Sequence, residues 1–155
     1  MTSTYIGKTT SVATPVFVDT GAHYALADTQ DPDHAEAVRL LQQIVRLRYA
    51  LVTSNFVISE VYTLLRQRLG WEAAIHYVEE LRAGSTQVIS VSAPDEERAW
   101  EILRRYDDQD FSYVDATSFS VMESLDIQVF FAFDAHFSTF RTQRGQAFTN
   151  IKFLV

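Results

Sequence analysis

Four short apolar runs, separated by stretches of helical periodicity, limit what this sequence can fold into. The runs are Val16–Val18, Ala50–Thr53, Thr86–Val91 and Ile127–Phe133. Between them the spacing predicts helices over Ala22–Asp28, from Asp31-Pro32-Asp33 to about Arg48, and from a cap at Ser54 or Asn55 to near Gly70. Further helices are predicted over Trp71–Arg82, Pro94–Tyr106, Phe111–Met122 and Ala135–Phe140, with Gly84 as the residue that ends the second amphipathic pair. Ala147–Thr149 or Ile151–Leu154 is expected to add an edge strand. Short buried strands alternating with helices give an α/β fold, a parallel sheet covered on both faces. Residues 16–155 read as one domain with no internal repeat. Residues 1–15 read as a flexible leader, and a later start codon accounts for the same segment equally well.

Four acids sit where this pattern does not want them. Asp19 closes the first strand and Asp134 the fourth. Ligands of open parallel sheets bind beyond the carboxyl ends of the strands, although a single strand-end acid is more simply a turn former or cap. Glu60 falls about 60° from Val57 and about 40° from Leu64 around its helix, inside the apolar face. Arg66 and Arg68 lie outside the reach of local pairing with it. Asp115 shares a helical stripe with Phe119 and Met122. Ser112-x-x-Asp115 also resembles a capping box with Asp in place of Glu, and on that stretch alone the cap is an equal reading. An unpaired buried carboxylate neutralises, pairs or binds a metal. Four converging carboxylates would repel one another without a cation. An all-oxygen set suits Mg²⁺ or Mn²⁺ rather than zinc, and such ions promote attack of water on a phosphodiester.

Composition removes the competing chemistries. The 155 residues contain no cysteine, which excludes disulfides, thiolate zinc sites and cysteine nucleophiles. No apolar run reaches the ~18 residues needed to span a bilayer, and the N-terminus has no apolar signal core, so a cytoplasmic location is expected. There is no Gly-rich phosphate loop, nucleophile elbow or HExxH. Phe17–Gly21 departs from an aspartyl-phosphate phosphatase at Gly21, where the second Asp would stand. The net charge of −7 argues against general adhesion to nucleic acid. Arg141, Arg144 and Lys152 follow the last acidic residue and are expected to form a basic rim. Tyr24 and Tyr113 are candidates for stacking on a base. His136 reads as a surface histidine at a helix start, with the orientation of water or phosphate as its alternative. Thr20, Asn55 and Thr117 read as outer ligands of the site or as caps.

The chain resembles PIN-domain ribonucleases, specifically the VapC-like toxins of toxin–antitoxin systems. The resemblance is carried, in order, by FVDTGAHYAL, TSNFVISEVYTLL, DFSYVDATSFSVM and VFFAFDAHF. It implies an α/β/α sandwich around a parallel sheet and a Mg²⁺- or Mn²⁺-dependent endoribonuclease. Asp19, Glu60 and Asp115 fall where the family has its first three acids, and Asp134 where it has a more variable fourth. Thr20 matches the hydroxyl residue after the first Asp, and Asn55 the polar residue opening the Glu helix. Asp110 matches a frequent acid, a helix-entry cap or an outer group of the site. By resemblance, Asp19 and Asp115 are direct metal ligands, with Glu60 and Asp134 completing the site directly or through water. An RNA substrate, a small antitoxin and a homodimer are the implied partners. A housekeeping RNA-processing nuclease without an antitoxin stays open as an alternative, as does a non-catalytic RNA-binding protein, against which the complete acid set counts.

Overall fold

A computed structural model describes residues 12–155. Most of the expected leader thus lies outside the described residues, and the first strand, β1 (Pro15–Val18), begins at its last residue. Four more strands follow: β2 (Ala50–Ser54), β3 (Gln87–Ile89), β4 (Val129–Phe131) and β5 (Thr149–Asn150). They form one sheet in the order β3-β2-β1-β4-β5, and every pairing is parallel. The helices are α1 (Thr20–Ala27), α2 (His34–Arg46), α3 (Asn55–Arg68), α4 (Trp71–Ala83), α5 (Ala93–Arg105), α6 (Tyr113–Ser124) and the single turn α7 (His136–Thr139).

Both faces of the sheet are covered because successive strand residues point to opposite sides and both sets are apolar. Val16, Val18, Val129 and Phe131 pack with Ala22, Ala37, Leu40 and Ile44 of α1 and α2. Phe17, Val52 and Phe130 pack on the other face with Val57, Val61 and Leu65 of α3 and Ala116, Phe119 and Met122 of α6. The second face is rich in aromatics: Phe119 stacks on Phe140 at 4.6 Å and meets the edges of Phe111 and Phe137.

The C-terminal end departs from the expectation. β5 is only Thr149–Asn150, while Ile151–Phe153 turns into a 3₁₀ helix capped by the Asn150 side chain. Ala147 instead forms an isolated antiparallel bridge with Arg141. Gly84 does follow α4, but in extended backbone with φ −82° rather than in a left-handed cap. At the other end of α4, Gly70 has φ +96° and turns the chain between α3 and α4.

The strand order reverses direction at β1, with β2 on one side and β4 on the other. That is the crevice where an open α/β sheet binds its ligand. Asp19 follows β1 and Asp134 follows β4, so the topology delivers both acids to this crevice.

Candidate active site

Asp19 joins β1 to α1 with no intervening loop. It occupies the N-cap position of α1 in extended backbone, yet its side chain makes no capping hydrogen bond. The residue is 3% exposed, and its Oδ1 has no hydrogen-bond partner. The neighbouring Thr20 Oγ1 is equally buried and unpartnered. Buried polar atoms without partners are rare and costly, so two together mark a place built for something else. Burial first, then the charges of Asp134 and Asp115, push the Asp19 carboxyl well above the usual carboxylate range; Glu60 adds to this, against a lowering from the Thr20 amide.

Asp115 lies in the first turn of α6, where the capping reading holds. Ser112 Oγ accepts from the Asp115 amide at 2.9 Å, and Asp115 Oδ2 accepts from the Ser112 amide at 2.9 Å, a complete capping box. Oδ2 also accepts from His136 Nδ1 at 2.8 Å. Burial raises the Asp115 carboxyl despite the Ser112 and His136 hydrogen bonds that favour its charge. Asp134 is exposed; its Oδ1 accepts from the His136 amide at 2.9 Å, which turns the chain into α7. Ligand atoms of Asp115, Asp134 and His136 lie within 4.8 Å of one another. Glu60 stands at the margin. The buried stripe of α3 is Val57, Val61 and Leu65, and Glu60 is half-buried beside it. It lines an open groove of about 380 Å³ with Phe56, Leu64 and Val114.

Four acids and one histidine therefore gather around the carboxyl edge of the sheet, but the outer residues do not follow as expected. Asn55 is exposed and accepts the Val91 amide at 2.9 Å, tying α3 to the segment after β3. Ser54 is the cap of α3, accepting from the Val57 amide. Thr117 is fully buried and donates to the Val114 carbonyl of its own helix at 2.9 Å. Asp110 is exposed and is not the cap of α6, a position held by Ser112. The common reason is local: small polar side chains satisfy nearby backbone groups before they reach a distant carboxylate. Only Thr20 keeps an unpartnered hydroxyl next to the acids. His136 was the under-read residue, since its ring reaches back across the sequence to Asp115. The pairing leaves no periodic trace; the only available signal was its place two residues after a strand-end acid.

The basic residues do not form a continuous rim. Arg141 donates from Nη1 to the carbonyls of Ser138, Thr139 and Phe140, closing the end of α7. Arg144 lines a cavity with Glu123 and Asp126, whereas Lys152 lines a different one with Asp134. Tyr24 is buried with its hydroxyl donated to Asp28, which rules it out as a base platform. Tyr113 is half-buried, its ring in edge contact with Phe56 and Trp100.

A buried chain of hydrogen bonds runs beneath Asp19. Thr53 Oγ1 donates to the Val18 carbonyl at 3.0 Å, so it can only accept from His23 Nε2, at 3.4 Å. His23 Nδ1 then accepts from the Tyr77 hydroxyl at 2.9 Å. This neutral ring is held by burial at a pKa of about 4, below its ordinary 6.5. The unfolded chain takes up a proton on His23 below about pH 6.5, but the folded chain does so only near pH 4. The unfolded state therefore binds more protons between these values, and stability falls as pH drops through that window. The loss approaches about 3 kcal/mol at pH 4. Urea unfolding of wild type and His23→Gln between pH 7 and 4 reads it as the part of the pH dependence that the variant loses.

The sequence profile of the PIN domain matches residues 16–142. Among characterised proteins, the chain is 41% identical over 123 residues to the 23S rRNA-specific endonuclease VapC20 of Mycobacterium tuberculosis, covering 79% of this chain and 92% of that protein. It is 29% identical over 137 residues to ribonuclease VapC26 of the same organism, covering 88% of this chain and 99% of the relative. Among solved structures it superposes on M. tuberculosis VapC20, a Sarcin-Ricin loop cleaving toxin, with a TM-score of 0.71 and 39% identity, covering 77% of this chain and 90% of that one.

Proposed function

The chain belongs to the PIN-domain family, and on that premise we propose that it is a divalent-cation-dependent endoribonuclease of the VapC toxin type that hydrolyses RNA phosphodiester bonds. The observation that carries the reading is the buried Asp19 carboxylate, which has an unpartnered oxygen and feels the charges of Asp134, Asp115 and Glu60. Such a cluster either takes up protons or is balanced by a cation, and a bound cation keeps its acids ionised. The donors are all oxygen, which fits Mg²⁺ or Mn²⁺. Asp19 and Asp115 would hold the ion, and Glu60 and Asp134 would complete the site directly or through water. The chemistry such an ion would supply is activation of water and stabilisation of charge on the phosphate oxygens.

The remaining roles belong to the fold. Asp19 is anchored between β1 and α1, and Asp115 is fixed by its own capping box, so neither has to be ordered when RNA arrives. The groove beside Glu60 is the path by which the RNA backbone approaches, and Lys152, beside Asp134, neutralises a flanking phosphate. The identity to a 23S rRNA-specific endonuclease supports structured ribosomal RNA as the substrate. A small antitoxin that covers the acidic crevice, a homodimer and a cytoplasmic location complete the proposal. No helix among the described residues is long and apolar enough to cross a membrane. Residues 16–155 form the nuclease domain, with 1–15 as its leader.

The decisive assay incubates purified protein with intact ribosomes and with mixed RNA, in Mg²⁺, Mn²⁺ or EDTA. Cation-dependent cleavage at a defined position of 23S rRNA is the expected outcome. Cleavage of mixed RNA but not ribosomes would move the substrate elsewhere. No cleavage together with no cation binding would end the enzyme reading.

A further inference from the structure

We infer that His136 is the positioning residue of the site, one residue that holds Asp115 and Asp134 at once and leaves one oxygen of each for the cation. The inference rests on the cation-site reading above and goes beyond it. The His136 amide donates to Asp134 Oδ1 at 2.9 Å, and its ring Nδ1 donates to Asp115 Oδ2 at 2.8 Å. Asp115 Oδ2 also receives the Ser112 amide at 2.9 Å, so that oxygen is doubly engaged. Asp115 Oδ1 and Asp134 Oδ2 accept no hydrogen bond from the described residues. One carboxylate comes from a helix and the other from the end of a strand, 19 residues later by their numbering (134 less 115). Nothing in either element alone fixes their separation.

The ring is itself fixed. Phe111 meets it edge-on, with centroids 5.5 Å apart and planes at 73°, and Phe111 packs in turn against Phe119 in the core. The backbone contact to Asp134 places the ring at the start of α7, so the aromatic core, α6 and the segment after β4 meet in one residue. A carboxylate can only accept, so Nδ1 carries the proton in this pair and is unavailable as a ligand. The role is that of an outer partner that orients a ligating oxygen, and loss of such partners lowers metal affinity about 10–100-fold.

Mn²⁺ alone is the probe, titrated against the full chain without RNA and read by electron paramagnetic resonance. His136→Leu keeps the apolar contact with Phe111 and removes the donor. His136→Asn puts a carboxamide N–H where Nδ1 stands, and His136→Gln puts one where Nε2 stands. The expected result is a rise in the Mn²⁺ dissociation constant of about 10–100-fold in His136→Leu, recovered largely by Asn and not by Gln. Pulsed spectra of the wild type are expected to show no nitrogen coupling from a directly bound imidazole. Unchanged affinity in His136→Leu, recovery by Gln rather than Asn, or a directly coupled nitrogen would each overturn the inference. A melt by near-ultraviolet circular dichroism identifies any variant that fails to fold; if Leu does, the contrast between Asn and Gln decides alone. Wild type that binds no Mn²⁺ would overturn the cation-site reading and this inference with it. Wild type that binds while His136→Leu binds equally well overturns only the inference.

Discussion

Asp19→Asn is expected to cut RNA cleavage by about 10²–10³-fold, the scale seen when one element of a preorganised charge-stabilising site is removed, while raising the melting temperature of the metal-free protein. Both effects have one cause. The carboxylate is buried, one oxygen is unpartnered, and Asp134, Asp115 and Glu60 crowd it with like charge. Its folded pKa lies above its unfolded value, so the favourable linkage exists in acid and is lost as pH rises through the folded pKa. Above its folded pKa the ionised group is therefore a strain on the fold. Asn fills the same space without the charge, at the expense of the function that the strain serves. Calorimetry in EDTA and in Mn²⁺ separates the two effects. The wild type should gain stability from Mn²⁺ by mass action, and the variant should gain little. A variant that melts lower than wild type in EDTA, yet still responds fully to Mn²⁺, would place the cation away from Asp19.

Phe119→Ala is expected to destabilise the protein by about 3–5 kcal/mol, the usual cost of truncating a buried aromatic to alanine. Phe119 is fully buried, stacks on Phe140 and meets the edges of Phe111 and Phe137. Three rings lose their partner in one substitution, and the rigid strands behind them cannot collapse into the space. Because Phe111 also supports the His136 ring, the same substitution should weaken Mn²⁺ binding in the fraction that stays folded. Urea unfolding at constant m-value measures the first effect. A loss below about 1 kcal/mol would mean that neighbouring rings refill the cavity.

The parts of this molecule that were legible in the sequence are those with a repeating physical cause. Val16, Phe17 and Val18 predict a doubly covered strand because all three are apolar, and the structure sends them to two different cores. Glu60 and Asp115 were conspicuous because a charge broke an apolar helical pattern, and both lie beside the crevice. The Ser112-x-x-Asp115 motif is a cap in the structure, and capping does not exclude the proposed site role. The helix uses Oδ2, and Oδ1 carries no hydrogen bond from the described residues. His136 stayed obscure because its partner is set by topology rather than spacing. Asn55, Thr117 and Asp110 failed for the opposite reason, since composition near an acid says nothing about which backbone group claims the side chain first. β5 escaped because two residues are too few to carry a pattern.

The contrast between the two N-terminal acids has a further consequence. Asp115, three residues inside α6, ties down the start of its helix with its own side chain, whereas Asp19, at the N-cap of α1, contributes no such bond. Inactivating changes at these two places must therefore leave opposite marks on protein abundance. At Asp115 the cell loses activity and part of the standing pool together, because a frayed α6 feeds quality control. At Asp19 the metal-free variant should be the more stable one, and on the toxin reading proposed above the inactive chain would still be able to occupy an antitoxin.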